Sequence, residues 1–330
     1  MNNGICAVTG GKGHVGFALV KELAARGCKI KLLLRSDSKV FDGIDCVKIM
    51  GDVCDSESLI KTFEGCETVY HVAGIVDITG TKDKEVWEVN FEATKKVVDA
   101  CKKTGVKNLV FVSSVDALIP SHGSEEITEV SEFDPDAVEG AYAKSKAAAS
   151  QYVLDNADEN LKVCIVHPSA CIGPYDNNGT SSMGTVIKFF AKGFFPITFG
   201  FGTSNFIDVR DVAKGMVAAA EKGRNGECYF LCSKVCTLDH FIGALAQASG
   251  KKHPKIVLSE NFVFKIIPVC EKVLEIAKIP PMINEYSIRK VLENFNFSNA
   301  KATKELGFTT RPLVETLRDN IAWLKENGKI

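Results

Sequence analysis

Tyr142 and Lys146 in GAYAKSKAAA stand one helical turn apart, a spacing that can move a proton. At positions i and i+4 of a helix both side chains lie on one face. An ammonium beside a phenol favours the phenolate and lowers a pKa that starts near ~10. Such a tyrosine can exchange a proton with an alcohol or carbonyl oxygen near neutral pH. A hydroxyl to hold that oxygen is available at Ser114, which ends the apolar run LVFVSS upstream of Tyr142. The carboxyl end of a strand is where sites of α/β proteins assemble. The spacing recurs at Tyr286 and Lys290, but no strand ending in a hydroxyl lies just before it, so we read that pair as chance helix spacing.

A second cluster, AVTGGKGHVG at 7–16, suits a phosphate. Gly11-x-Gly13-x-x-Gly16 and Gly10-x-x-Gly13-x-x-Gly16 both fit the βα turn that cradles a dinucleotide pyrophosphate, with a helix opening near His14 and Val15. Absent side chains let backbone N–H groups and the helix N-terminus approach the phosphates. Lys12 is followed by Gly13 rather than Ser or Thr, which rules out the Gly-Lys-Ser/Thr loop of nucleotide triphosphatases. The residue ending the second strand tells which dinucleotide is expected. An acid there binds ribose hydroxyls, whereas an arginine accommodates a 2′-phosphate. KIKLLLRSDSK places Arg35 directly after Leu34, with Lys39 nearby, so NADP(H) is favoured. Asp37, two residues on, keeps NAD(H) open.

These groups must be carried by a regular scaffold. Runs at 4–8, 28–34, 45–49, 67–72, 107–113 and 161–167 are almost continuously apolar, as strands buried on both faces are. Helix-like segments at 14–26, 56–64, 85–104 and 139–158 alternate with them. The pattern predicts an α/β chain: a doubly wound, Rossmann-type parallel sheet with a smaller, mostly helical C-terminal subdomain for substrate. The expected boundaries assign 1–173 and 205–235 to cofactor and 174–204 and 236–330 to substrate. Residues 174–204 read as loop-like and aromatic, 205–223 as strand then helix, and 227–231 as a strand.

Composition narrows the function classes. The 330 residues carry 40 basic and 41 acidic side chains, a net charge of −1, with no basic excess for a nucleic-acid backbone. No apolar run reaches the ~18–20 residues of a membrane span, and the N-terminus has no signal-peptide pattern, so a cytoplasmic protein is expected. Twelve cysteines are scattered without C-x-x-C pairs and read as reduced, buried thiols. Cys228, Cys232 and Cys236 lack the spacing and fourth ligand of a zinc site, so no metal is expected. A homodimer stays open.

The chain resembles the extended short-chain dehydrogenase/reductases over most of its length. The resemblance rests on TGGKGHVG, GDVCD (51–55), HVAG (71–74), VNFEAT (89–94), VSS (112–114), YAKSK (142–146), HPSACIGP (167–174), NFIDVRDVA (205–213) and FSNAKATKELGF (297–308). LLLRS, FVSSV and HPSACIGP are most similar to the dihydroflavonol-reductase-like and 3β-hydroxysteroid-dehydrogenase-like branch. The resemblance implies that Ser114 and Tyr142 bond the reacting oxygen, with Tyr142 as acid/base. It implies that Lys146 holds the nicotinamide ribose and tunes Tyr142. It places Asp52 and Val53 at the adenine, Val72, Ala73 and Gly74 along the middle of the cofactor, and Pro168 beside the nicotinamide. Asn90 matches a helix asparagine that supports the site. Ile119 stands where plant dihydroflavonol reductases carry Asn or Asp against substrate, which weakens a flavonoid reading. His167 replaces the arginine of sugar-nucleotide members and reads as a strand-end residue.

The expected activity is interconversion of a ketone and a secondary alcohol on a bulky, largely apolar small molecule. Phenylalanines at 189–201 and the apolar 261–283 stretch would cover such a compound, unless they simply pack the subdomain. Two alternatives stand beside it. A sugar-nucleotide epimerase or dehydratase would need cations for a diphosphate, and Arg210, Arg224 and Arg289 form no obvious cluster. A non-catalytic NADP(H) sensor would have no need of Ser114, Tyr142 and Lys146.

Overall fold

A computed structural model of the chain describes residues 4–77, 81–121, 123–177, 179, 182–193, 196–276 and 285–330. Six strands, β1 (Ile5–Thr9), β2 (Lys29–Leu34), β3 (Val47–Met50), β4 (Thr68–His71), β5 (Asn108–Val112) and β6 (Lys162–Pro168), lie within about two residues of the six apolar runs. They are followed by β7 (Ala170–Ile172), β8 (Ile197–Phe199), β9 (Thr203–Asp208), β10 (Glu227–Leu231), β11 (Val235–Thr237) and β12 (Ile256–Leu258). The central sheet has the order β10-β6-β5-β4-β1-β2-β3, and its neighbours all pair in parallel. A three-stranded sheet, β11-β9-β7, and a two-stranded one, β12-β8, lie outside it.

Alternate strand residues point to opposite faces, and each face has its own core. Ala7, Leu33 and Val69 pack with Leu59 and Phe63 of α2 (Ser56–Phe63), Val97 of α4 (Ala93–Thr104) and Ala147 of α5 (Ala141–Asp155). Val8, Leu32 and Tyr70 pack with Leu19 of α1 (His14–Ala25), Met216 of α7 (Val209–Lys222) and Leu306 of α11 (Ala300–Leu306). This double burial is why the strand runs are apolar throughout rather than alternating. The helical stretch before α4 is not uniform. It opens as α3 (Asp83–Trp87) and passes through a turn of π-helix, Glu88–Glu92.

The stretch expected to be loop-like contains α6 (Ser182–Lys192) and β8. Among its described phenylalanines, Phe190, Phe199 and Phe201 pack. Phe190 joins Phe241 of α8 (Leu238–Ser249) and Leu317 of α12 (Leu313–Glu326) in a third core, and Phe199 joins Val263 of α9 (Glu260–Ile276) and Ile288 of α10 (Glu285–Lys290) in a fourth. Phe189 is exposed, while Phe194, Phe195 and 277–284 lie outside the described residues. Between β1 and β4 the strand order reverses, and the crevice at the carboxyl ends of those strands is where such sheets bind ligands.

Candidate active site

Backbone geometry builds the first wall of the crevice. Gly10 follows β1 with φ 72°, and a Cβ there would stand 2.5 Å from the backbone nitrogen of Ala73. A Cβ on Gly16 would overlap the Gly10 carbonyl. The Gly13 N–H closes the turn on that carbonyl at 3.0 Å. Gly13 then caps α1 with no side-chain acceptor, and no acid lies in the first turn. The first N–H groups of α1 and the positive end of its dipole are therefore left for an anion. Val15 lies in that first turn, partly buried. The ring of His14 is committed elsewhere: Nε2 donates to the Pro174 carbonyl at 2.9 Å. Burial lowers its pKa and keeps the imidazole neutral.

Val72, Ala73 and Gly74 follow β4 and are held by an ordered chain of hydrogen bonds. The Ala73 N–H donates to Thr9 Oγ1 (3.3 Å), and Thr9 Oγ1 donates to His71 Nδ1 (2.8 Å). His71 Nε2 donates to Thr94 Oγ1 (2.9 Å), which donates to the Asn90 carbonyl (2.7 Å). The last acceptor is a carbonyl and can only accept, so every proton in the chain has one place. His71 is fully buried, and desolvation, then the charge of Lys146, push its pKa down to about 3. Asn90, in the π-turn, receives the Ile75 N–H at 2.8 Å and donates to the Ile75 carbonyl (2.9 Å) and to Ser145 Oγ (3.1 Å). Sequence reading named Asn90 but missed Thr9, His71 and Thr94. Only their long-range pairing shows what they do.

The opposite wall comes from β5 and α5. Ser113 Oγ is buried against Ser150 Oγ at 2.7 Å, which leaves Ser114 as the hydroxyl at the strand end. Ser114 Oγ donates to Asp116 Oδ2 (3.1 Å) and receives the Asp116 N–H (3.2 Å). His167 Nδ1 donates to the Ser114 carbonyl at 2.9 Å. Its ring stacks on Phe133, and burial pushes its pKa down to about 4. His167 is thus a buried strand-end residue that fixes the Ser114 backbone. Tyr142 is partly exposed in the first turn of α5, and Lys146 lies one turn on, only 4% exposed. Lys146 Nζ donates to the Val112 carbonyl at 2.7 Å and sits 5.0 Å from the Phe111 ring centroid. Burial alone pushes its pKa down to about 7, and it has no ion-pair partner among the described residues. The walls meet at Gly74, where a Cβ would be 3.1 Å from Asn90 Oδ1 and 3.3 Å from Lys146 Nζ.

The remaining expected residues occupy the same sheet edge. Arg35 is exposed just past β2, with no ion-pair partner among the described residues. Asp37 is taken by Lys48 at 2.9 Å, a bond that holds its carboxyl below the usual range. Lys12, read from sequence only as a failed phosphate-loop lysine, donates to Ser36 Oγ at 3.0 Å and so lies beside the end of β2. Asp52 accepts the Cys54 N–H at 2.8 Å, Val53 is buried, and Pro168 ends β6. Lys290 lines a hollow with Asp116 and Ile119, while the Tyr286 side chain lies outside the described residues. Among the described residues eleven cysteines are free, no His/Cys/Asp/Glu group could hold a metal, and no helix is long and apolar enough to cross a membrane.

The sequence profile of the NAD dependent epimerase/dehydratase family matches residues 6–232. The chain belongs to that family. Within this epimerase/dehydratase family it is similar to sterol demethylase protein B of Methylococcus capsulatus, at 31% identity over 98% of this chain and 99% of that protein. It is also similar to a 3-beta-hydroxysteroid dehydrogenase of Mycolicibacterium neoaurum, at 26% identity over 94% and 87% of the two chains. The crystal structure of gox2253 superposes with a TM-score of 0.85 at 30% identity, covering 99% of this chain and 100% of that one. UDP-glucose 4-epimerase of Thermotoga maritima shares the fold at a TM-score of 0.78 and 19% identity, over 98% and 99% of the chains. The protein is an NAD(P)-dependent oxidoreductase of the extended short-chain dehydrogenase/reductase type.

Proposed function

We propose that the protein uses NADP(H) to interconvert a ketone and a secondary alcohol on a bulky, apolar, steroid-like molecule. The residues present fit a dinucleotide: a Cβ on Gly10 or Gly16 would close the glycine cradle, α1 offers an uncapped N-terminus, and Arg35 and Lys12 beside the end of β2 would favour a 2′-phosphate there. The nicotinamide, when bound, supplies or accepts the hydride. Ser114 holds the substrate oxygen, and Tyr142 gives it a proton in reduction or takes one in oxidation. Lys146 uses one of its three N–H bonds on Val112 and keeps the others for the ribose hydroxyls, while its charge favours the phenolate of Tyr142. Asp52, Val53 and Val72 to Gly74 line the dinucleotide, Asn90 fixes their loop, and Pro168 borders the nicotinamide end. The free thiols suit a reducing cytoplasm.

One observation carries the substrate class. The hollow beyond Ser114 has an apolar wall that includes Leu118, Ile119, Pro120 and Phe295, with Ile119 62% exposed, and a polar wall of Asp116, Ser121, Lys290, Glu293 and Asn294. The lysine on that wall, Lys290, is already paired with Glu293 at 2.8 Å and Asp116 at 3.6 Å, so it offers little to a diphosphate. The apolar wall, with Ile119 turned outward, would suit the apolar face of a bulky substrate. The names of the two steroid-acting relatives point the same way. The test is a screen of 3-ketosteroids and other bulky ketones with NADPH and NADH, followed by absorbance of the reduced nicotinamide. Turnover with NADPH is expected, with UDP- and GDP-sugars at millimolar levels neither reacting nor competing. Inhibition or epimerisation by a sugar nucleotide overturns the substrate class.

A further inference from the structure

The hydroxyl assigned to the substrate oxygen is not free in this structure. Ser114 has one proton, and it points at a carboxylate, Asp116. A ketone oxygen can only accept, so it must take that proton from Asp116 before Ser114 can hold it. A carboxylate is the stronger acceptor. What weakens its hold is a cation on its other oxygen, and Lys290 Nζ lies 3.6 Å from Asp116 Oδ1. Lys290 belongs to the last turn of α10, far along the chain.

The segment after α10 fastens Lys290 in place. The Asn294 N–H donates to the Ser121 carbonyl (3.0 Å), Asn294 Nδ2 to the Glu125 carbonyl (2.7 Å), and Asn296 Nδ2 to the Ser124 carbonyl (3.0 Å). Ile127 bridges to Phe297, and the Thr203 N–H donates to the Val291 carbonyl at 2.8 Å. The strap therefore ties residues 121–127, downstream of Ser114, to β9 and holds a lysine near Asp116. Glu293, on the same strap, competes for that lysine at 2.8 Å.

We propose that Lys290 and Asp116 are positioning residues for Ser114: Asp116 sequesters the hydroxyl, and Lys290, held between Asp116 and Glu293, sets how readily it is released to a carbonyl oxygen. The inference rests on the proposed role of Ser114. Lys290→Met leaves the carboxylate uncompensated. It should raise KM for a 3-ketosteroid probe about fivefold, with kcat and NADPH affinity nearly unchanged, and Lys290→Arg should restore the wild-type KM. In an Asp116→Asn background Lys290→Met should change nothing further. Melting temperatures of Ser114→Ala, Asp116→Asn and their double variant give a readout that needs no turnover. The double variant should lose about 2 °C less than the sum of the single losses. An unchanged KM in Lys290→Met, a KM rise that persists in Asp116→Asn, or additive melting shifts each overturn the proposal. If the wild type turns over no ketone, the reading of the site fails, and the melting cycle alone decides whether Asp116 holds Ser114.

Discussion

The crevice has two sides built on different principles. On the β1 and β4 side the contacts are buried and neutral: Thr9, His71, Thr94 and Asn90 bond hydroxyls, an imidazole and backbone groups, and glycines fix the turn. On the strap side the contacts are charged and partly wet, with Lys290, Glu293 and Asp116 side chains 20%, 22% and 31% exposed. Buried neutral networks have one good arrangement, and an unpaired member is costly. Half-exposed ion pairs are worth little and rearrange cheaply. The first side suits a cofactor of fixed shape, and the second suits a substrate pocket that can be retuned without unfolding the chain. Perturbing each side in turn should show whether affinity, stability or selectivity gives way.

The largest effect is expected where the two sides meet. Tyr142→Phe removes a proton carrier and no packing atom of consequence, so turnover should fall roughly 10²- to 10⁴-fold. NADPH affinity, measured by calorimetry, should stay within a few-fold, because the cofactor side is untouched. Turnover surviving in Tyr142→Phe would move the acid/base role elsewhere.

Acid should next strip the buried neutral imidazoles, His71 on the β1 and β4 side and His167 behind Ser114 on the other. His71 and His167 sit folded at about 3 and about 4, against 6.5 for an unburied imidazole. Below 6.5 the unfolded chain takes up protons that the folded chain refuses, so this stability is fully present above about 6.5 and is lost as pH falls towards 4 and then 3. At 1.36 kcal/mol per unit, the two together are worth on the order of several kcal/mol. Urea midpoints between pH 7.5 and 4.5 should therefore fall, and His71→Gln should flatten part of that slope while lowering stability at pH 7.5. A slope unchanged by His71→Gln would mean that the ring is not held neutral.

Gly16→Ala puts a methyl group on the Gly10 carbonyl, where only backbone can yield. Overpacking of about 1–3 kcal/mol predicts roughly 10- to 100-fold weaker binding of either dinucleotide. A matching loss of NADPH and NADH affinity would place the effect in the shared pyrophosphate cradle.

Much of this was legible in the chain because it is written in local terms. The sheet declared itself through runs apolar on every residue, and the cradle through Gly10, Gly13 and Gly16 beside the first of them. Ser114 could be told from Ser113 by strand position, and the structure turns Ser113 inward to Ser150. What was hidden depends on partners distant in sequence. Thr9 meets His71 only because β1 pairs with β4 in the register that sets those two side by side. The π-turn at Asn90 has no periodic signature that separates it from the helix around it. Lys290, set aside as half of a chance motif, reaches Asp116 because a strap of side-chain and backbone bonds carries it there. The aromatic stretch left substrate cover and packing both open for a related reason: composition showed six phenylalanines but not that Phe190 and Phe199 face separate cores.

The smallest expected effect falls on the rim that neither side encloses. Arg35 is exposed, and Lys12 reaches the same spot from the glycine turn through Ser36. Nothing there is needed to hold NAD(H), whose adenosine ribose carries no phosphate. Asp37, the residue that would serve a bare ribose, already spends its carboxylate on Lys48. Arg35→Ala should therefore weaken NADP(H) about tenfold, the scale of one lost charge-assisted bond, and leave NAD(H) nearly unchanged. Lys12→Ala should do the same to a lesser degree. Because both cations face solvent, raising salt from 0.05 to 0.5 M (about 14 to 4 Å of screening) should shrink the difference between the two cofactors in the wild type and barely alter it in Arg35→Ala. Calorimetric titration of both cofactors into both proteins at two salt concentrations reads all of this. Equal wild-type affinity for the two cofactors, or an equal loss of both in Arg35→Ala, would shift the ribose role to Asp37 and the preference to NAD(H).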